Sequence, residues 1–458
     1  MISNTGFGPG KVFRFFSSAG NKTYYVQIDA GVLKNASGPF SGFSGKTAWV
    51  FTTKAAPPSK DATRLVVAAD STGDFATVQG AIDFTPDQST QRITIFIRKG
   101  LYPEIVYFER KSNLTFLGED RKQTVIGYPN NDRFSNRPPT VRAYHRGLFF
   151  ANNSNGIHLV NLTLKNSTPK GGSQAESIIM TGSQNILSHV DLSSLQDTLQ
   201  INGSAYVADC YIEGDVDFMW GRGPVFFENC ELKALNKGYF TQIRNTNANH
   251  GYVYDHCILS TTPNAAGTYL SRIDPNTFPY SEVVLLDCAL GEQIIPAGWL
   301  LNNGPNNGPQ TADAAPNVQF WEYHSTNISD GKPVDVSARA AFSKQLTMEN
   351  DAETIKNYRD PNYVLGWAPT MAPIITQAPA RQSIKPAQKV EFSVTAAAIP
   401  APTYQWQHNG VALKDGGNIS GVTTGTLTIA NPQSSDAGSY SVVITNPSGN
   451  VTSTTEAN

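Results

Sequence analysis

Basic clusters, long apolar runs and metal-type cysteine spacings are all missing from this chain of 458 residues. Its formal net charge is -2 and no run rich in lysine or arginine occurs, which excludes a protein that grips a phosphate backbone, so no nucleic-acid partner is expected. The longest apolar stretches fall far short of a membrane span. The opening MISNTGFGPG has neither a basic n-region nor an apolar h-region. That leaves a cytoplasmic protein, or one whose signal segment lies outside this sequence. The four cysteines include no Cys-x-x-Cys pair, and no Gly-x-Ser-x-Gly elbow occurs, which disfavours a structural zinc site and a serine hydrolase. The seven histidines, His250 and His256 among them, form no ligand or base pattern and are expected in surface or structural roles.

The length exceeds what one core usually organises, so two or three domains are expected. Residues 1–56 alternate polar and apolar and end in the linker-like KAAPPSK. Beyond GWAPTMAPIITQAPA, residues 374–458 are rich in Ser, Thr, Val and Gly with almost no helix signal, and short strand patterns recur at the spacing of a β-sandwich. YQWQHNG and DAGSYSVVITN resemble two strands of an Ig-like domain, with Trp406 as the core tryptophan and Tyr440 as the corner tyrosine. Val394 and Val442 stand where that family pairs cysteines, and two valines fill the space with apolar volume. Residues 1–56 resemble the closing strands of a bacterial Ig-like module, and both ends of the chain are expected to be cut within a longer polypeptide.

Between these flanks lies a ladder. VNLTL, SHVDL, ADCYI, ENCEL, DHCIL and LDCAL align so that Leu162, Val190, Cys210, Cys230, Cys257 and Cys288 share one position, with Leu or Ile two residues later. Period-2 apolar pairs recurring every 20 to 31 residues describe stacked coils, each burying one strand face. Residues 61–370 are therefore expected to form a parallel β-helix, with all four cysteines inward as free thiols. Asp197 lies seven residues after Val190 and Asp217 seven after Cys210, so the two aspartates fall at one place on successive coils. Carboxylates stacked at about 4.8 Å repel, and one is driven to hold a proton while the other stays ionised. Phe218, Met219 and Trp220 beside them argue for a partly desolvated site rather than for solvated turn residues. Thr77 to Phe84 reads as a short amphipathic helix capping the solenoid.

At these residues the sequence resembles the pectin methylesterases, carbohydrate esterases built on a right-handed parallel β-helix. The resemblance runs from about Leu65 to Trp367 and rests on STGDFATVQGAID, GLYPE, QAESI, QDTL, DFMWG, YLSRID and PAGW, in that family's order. It implies that Asp217 of DFMWG is the nucleophile and Asp197 of QDTL the general acid/base. Gln174 and Gln196 would donate to the oxyanion, and Arg272 of YLSRID would hold Asp217. It implies no metal and no cofactor. Phe218, Trp220 and Trp299 are aromatic candidates for the substrate groove, with core packing the alternative for both tryptophans. Glu104 of GLYPE is expected to cap or pair locally. The family's Leu-Gly-Arg-Pro-Trp reads Leu270 to Asp274 here, so its groove tryptophan is absent, and Phe278 or Tyr280 are candidates to replace it. Glu176 and Ser177 stand where the family has small apolar residues and are expected to face solvent.

The function expected is removal of methyl esters from homogalacturonan, giving methanol and pectate, by a secreted or cell-surface enzyme acting as a monomer. Paired carboxylates also serve glycosidases, and spacing alone does not exclude a polygalacturonase. A pectate lyase would need a calcium-binding carboxylate cluster near a basic residue, and none is seen near Arg272. A carbohydrate-binding or adhesion protein on an inactive helix is the competitor from another class, since fold does not fix function.

Overall fold

The computed structural model describes residues 20–32, 34–35, 38–133, 146–304, 307–383 and 388–457. From Arg64 onward the chain winds into coils whose strands stack in parallel, giving a β-helix with three faces. One face is a sheet of eleven strands running from Arg64–Val67 to Lys344–Gln345. The other two belong to a single sheet of fifteen strands, because the long strands Tyr211–Gly221 and Glu231–Ile243 turn a corner and join both.

Register follows the ladder. Leu164, Leu192, Ile212, Leu232, Leu259 and Leu290 pair in unbroken succession across adjacent strands. All six are buried, and each such side chain taken from water contributes about 1.5–3 kcal/mol. The four cysteines are buried free thiols in the matching inward position, and burial pushes their pKa values up. Immediately before Leu162, Val190 and each of the four cysteines the backbone is left-handed: Asn161, His189, Asp209, Asn229, His256 and Asp287 have φ between 49° and 58°. Asn, Asp and His tolerate that region best among residues with a side chain. His189 and His256 are thus turn residues, while His250 pairs with Glu282 at 3.0 Å.

Helix Val78–Phe84 closes the N-terminal end of the solenoid. Thr77 caps it by accepting from the Gly80 amide at 3.1 Å. Glu104 accepts from the Val78 and Gln79 amides at 2.8 and 2.9 Å. The GLYPE glutamate therefore satisfies orphan amides of a helix 26 residues upstream rather than pairing locally.

The C-terminal domain is a sandwich around Phe392, Trp406, Tyr440, Val442 and Val394. Trp406 donates its indole N–H to the Thr424 carbonyl at 2.9 Å, and Tyr440 its hydroxyl to the Asp436 carbonyl at 2.7 Å. Val442 lies directly opposite Trp406 on the neighbouring strand. Met371, Ala397 and Ile399 belong to a different cluster. They pack with Ile186, Tyr206, Phe226 and Val253 on the outer side of the eleven-stranded face, together with helices Met348–Tyr358 and Pro361–Leu365. At the other end Thr23–Tyr25 pairs antiparallel with Val50–Thr52, and Lys34–Asn35 with Gly38–Pro39. Much of the segment read as a partial Ig-like unit lies outside the described residues. Among the described residues no helix is long and apolar enough to cross a membrane.

Candidate active site

Asp197 and Asp217 sit at equivalent places on adjacent coils. Leu199 pairs with Met219, and the Asp197 amide donates to the Val216 carbonyl at 3.2 Å. Both aspartates take left-handed backbone conformations, with φ of 66° and 48°. Around Asp217 the pairing shifts register between Gly214 and Val216 and again between Val216 and Met219. Such bulges re-aim side chains at functional corners. Gly214 makes this one feasible, since a Cβ there would stand 2.3 Å from that of Phe218.

Arg272 clasps Asp217 with both prongs. Its Nε donates to Oδ1 at 2.9 Å and its Nη2 to Oδ2, a bidentate geometry that fixes the carboxylate plane. Burial raises the Asp217 pKa, while the Arg272 hydrogen bonds and charge, with Arg244 behind them, pull it back; the net direction is upward. Asp197 is pushed well above the usual carboxylate range, first by burial and then by the charge of Glu176, with Asp217 adding and Arg146 and Arg244 opposing. Both carboxylates are buried and both are raised, Asp197 the further; the expectation that one would stay low is corrected, because burial lifts both and Glu176, ahead of Asp217, is the leading negative charge on Asp197.

Gln196 shares the coil of Asp197, and Gln174 stands one coil earlier. The Ala175 amide donates to the Gln196 carbonyl at 3.2 Å, so the half-buried glutamines are side by side. Gln174 Oε1 accepts from the Ser173 hydroxyl at 2.9 Å, which leaves its NH₂ end as the donor.

The aromatic candidates separate. Trp220 faces outward in a row with Gln200 and Gln242, covered by the guanidinium groups of Arg146 at 5.5 Å and Arg244 at 4.8 Å. Phe278 lies off this row, half-buried, with its ring 5.4 Å from the Arg244 guanidinium. Phe218 is a core residue, wholly buried against Phe240. The register shift places both Phe218 and Met219 inward. Trp299 is likewise interior, 1 % exposed and packed on Phe320. Its strand neighbour is Ser271, whereas Leu300 lies beside Arg272 on the outer side. Tyr280 lines a separate cavity with Asn245, His250, Tyr358 and Tyr363. The expectation for Glu176 and Ser177 is also corrected: both are fully buried, Glu176 accepting from Arg146 at 2.8 Å and the Ser177 hydroxyl donating to the Thr198 carbonyl at 2.9 Å.

Arg146, Arg244 and Tyr239 went unweighed in the sequence. The Arg272 guanidinium rests 4.1 Å from the Tyr239 ring, which stacks on Tyr269.

Comparison with known proteins places this geometry. The Pectinesterase family profile matches residues 64–363, and an immunoglobulin-domain profile matches residues 372–446. Pectinesterase 31 of Arabidopsis thaliana is 30% identical over 299 residues, 63% of this chain and 90% of that protein. Pectinesterase QRT1 of the same plant is 28% identical over 315 residues, 66% of this chain and 78% of its own length. Among solved structures, pectin methylesterase from carrot superposes with a TM-score of 0.57 at 23% identity, covering 69% of this chain and 95% of that one. PemA from Erwinia chrysanthemi gives 0.53 at 23% identity, covering 67% and 98%. With the parallel β-helix, the profile match across the whole of it and a relative covered almost end to end, the chain belongs to the pectinesterase family.

Proposed function

We propose that Asp217 and Asp197 carry out hydrolysis of the methyl esters of homogalacturonan, releasing methanol and leaving pectate. The observation that carries this is the asymmetry of the pair. Asp217 is gripped through both oxygens by Arg272, whereas burial and then the charge of Glu176 favour the protonated form of Asp197, which takes one hydrogen bond from Arg146. An ionised, aimed Asp217 attacks the ester carbonyl, and the oxyanion that forms is stabilised by the amide groups of Gln174 and Gln196. Collapse breaks the bond to methoxide, which takes the proton of Asp197. Asp197, now ionised, withdraws a proton from the water that cleaves the acyl-enzyme, and both carboxyls return to their starting states. Trp220, Phe278 and the Tyr239–Tyr269 pair supply flat apolar surface along the groove for sugar rings. A polymeric substrate puts the site of action outside the cell, at the wall.

The test is a paired assay on highly methylated pectin, following methanol and the ultraviolet absorbance of unsaturated uronides together. Methanol without new absorbance, abolished by Asp217→Ala, is the expected result. Absorbance would make the protein a lyase, and methanol release surviving Asp217→Ala would remove the proposed nucleophile.

A further inference from the structure

Arg146 is shared between two buried carboxylates. Its Nε and Nη2 donate to Glu176 Oε1 at 2.8 and 2.7 Å, and Nη2 also reaches Asp197 Oδ2 at 3.2 Å. Glu176 is fully buried, and among the described residues its other oxygen, Oε2, makes no hydrogen bond of normal geometry, although the nearby Trp220 indole N–H helps to favour its charged form. Removing one partner of a buried pair strands the other charge at a cost of several kcal/mol. A chain that needed only to fill this space would do so more cheaply with a small apolar residue at position 176. Glu176 stands one coil before Asp197 and Arg146 two, and the Arg146 guanidinium touches the acid of the reaction. Resting on the esterase reading above, we propose that Arg146 and Glu176 are positioning residues that hold the Asp197 carboxyl in place and govern how firmly it keeps its proton.

The charged groups facing Asp197 can be named from each neighbouring element. Glu176 and Arg146 approach from the preceding coils, Asp217 from strand Tyr211–Gly221, and Arg244 from beyond strand Glu231–Ile243. Arg272 acts at one remove, through Asp217. Three carboxylates face three guanidinium groups, so losing one partner tips the balance in a known direction. Without the negative charge of Glu176, Arg146 falls wholly to Asp197 and favours its ionised form. With lysine in place of Arg146, one compact ammonium cannot bridge both carboxylates; it stays with Glu176, and Asp197 keeps its proton more firmly.

The experiment is the pH profile of methanol release by the full chain, comparing wild type with Glu176→Gln and Arg146→Lys. Activity requires protonated Asp197, so its loss of a proton forms the alkaline limb. Glu176→Gln should move that limb to lower pH and Arg146→Lys to higher pH, while the acid limb, set by Asp217, moves less. An alkaline limb that stays put in either folded variant, or shifts the same way in both, overturns the proposal. If Glu176→Gln does not fold, Arg146→Lys alone decides by the sign of its shift. The infrared band of the protonated Asp197 carboxyl, identified by its loss in Asp197→Asn, provides a readout without turnover and should fade at lower pH in Glu176→Gln. Wild type that releases no methanol would overturn the esterase reading and this inference together, whereas Asp197→Asn that keeps full activity would remove Asp197 as the acid and this inference with it. An unmoved limb in an active enzyme would overturn this inference alone.

Discussion

Replacing Arg272 by alanine tests the nucleophile's setting more sharply than replacing the nucleophile itself. Two charge-assisted hydrogen bonds are lost at once, each worth about 1.5–3 kcal/mol. The guanidinium side chain is 26% exposed, so solvent screens part of this and the lower end applies, about 3 kcal/mol in total. If that aim is used fully in the transition state, kcat/KM falls roughly a hundredfold. The loss should not be uniform in pH. Burial already raises the Asp217 pKa and Arg272 restrains it; without the cation it climbs further. Since attack needs the ionised form, the acid limb of kcat/KM moves to higher pH, and the deficit is worst in acid and shrinks as pH rises. Arg272→Lys should return the limb most of the way through its charge while leaving a residual loss, because a point charge cannot fix both oxygens. Initial rates of methanol release across the pH range, with thermal melting as a control for folding, would decide. A folded Arg272→Ala enzyme whose rate drops equally at every pH would refute the electrostatic part of this reasoning, and an unchanged rate all of it.

The two aromatic candidates for the missing groove tryptophan now part company. Phe278→Ala should raise KM for pectin several-fold, since its ring lies against Arg244, whose guanidinium also covers Trp220. Tyr280→Ala should leave KM unchanged, because Tyr280 lines the cavity near Tyr358; equal effects would mean that the groove runs elsewhere. The thiols give a measure of the solenoid. Native protein should bind no thiol reagent, and four thiols should react once denaturant opens the coils; rapid labelling of folded protein would contradict the inward register.

The β-helix was legible because its coils repeat one chemical choice, a small apolar residue followed two positions later by Leu or Ile. The same ladder spacing is enough to put Asp197 and Asp217 on adjacent coils. A second signal stood beside it unread, the run of Asn, His, Asp, Asn, His and Asp that takes each left-handed turn. What sequence could not give was parity across a bulge. Strict alternation puts Phe218 and Met219 on opposite faces, yet two register shifts turn both inward, and Trp299 went inward because its neighbour is Ser271 rather than Arg272. Glu176 was misjudged for another reason. A lone glutamate reads as a solvent-facing residue, and its partner Arg146 is 30 residues away with no motif to join them.

The apolar cluster shared by Met371, Ala397, Ile399 and the outer β-helix face carries a consequence beyond packing. Asn446 hydrogen-bonds the Met371 and Pro400 carbonyls at 2.9 and 3.0 Å, and Asn161 reaches across to the Thr376 carbonyl at 3.4 Å. Such a joint behaves like a bracket, whereas a flexible tether lets an appended domain swing. Whatever grips the far tip of the sandwich therefore also aims the groove, and the direction in which Asp217 faces a polymer is set by how the molecule is mounted.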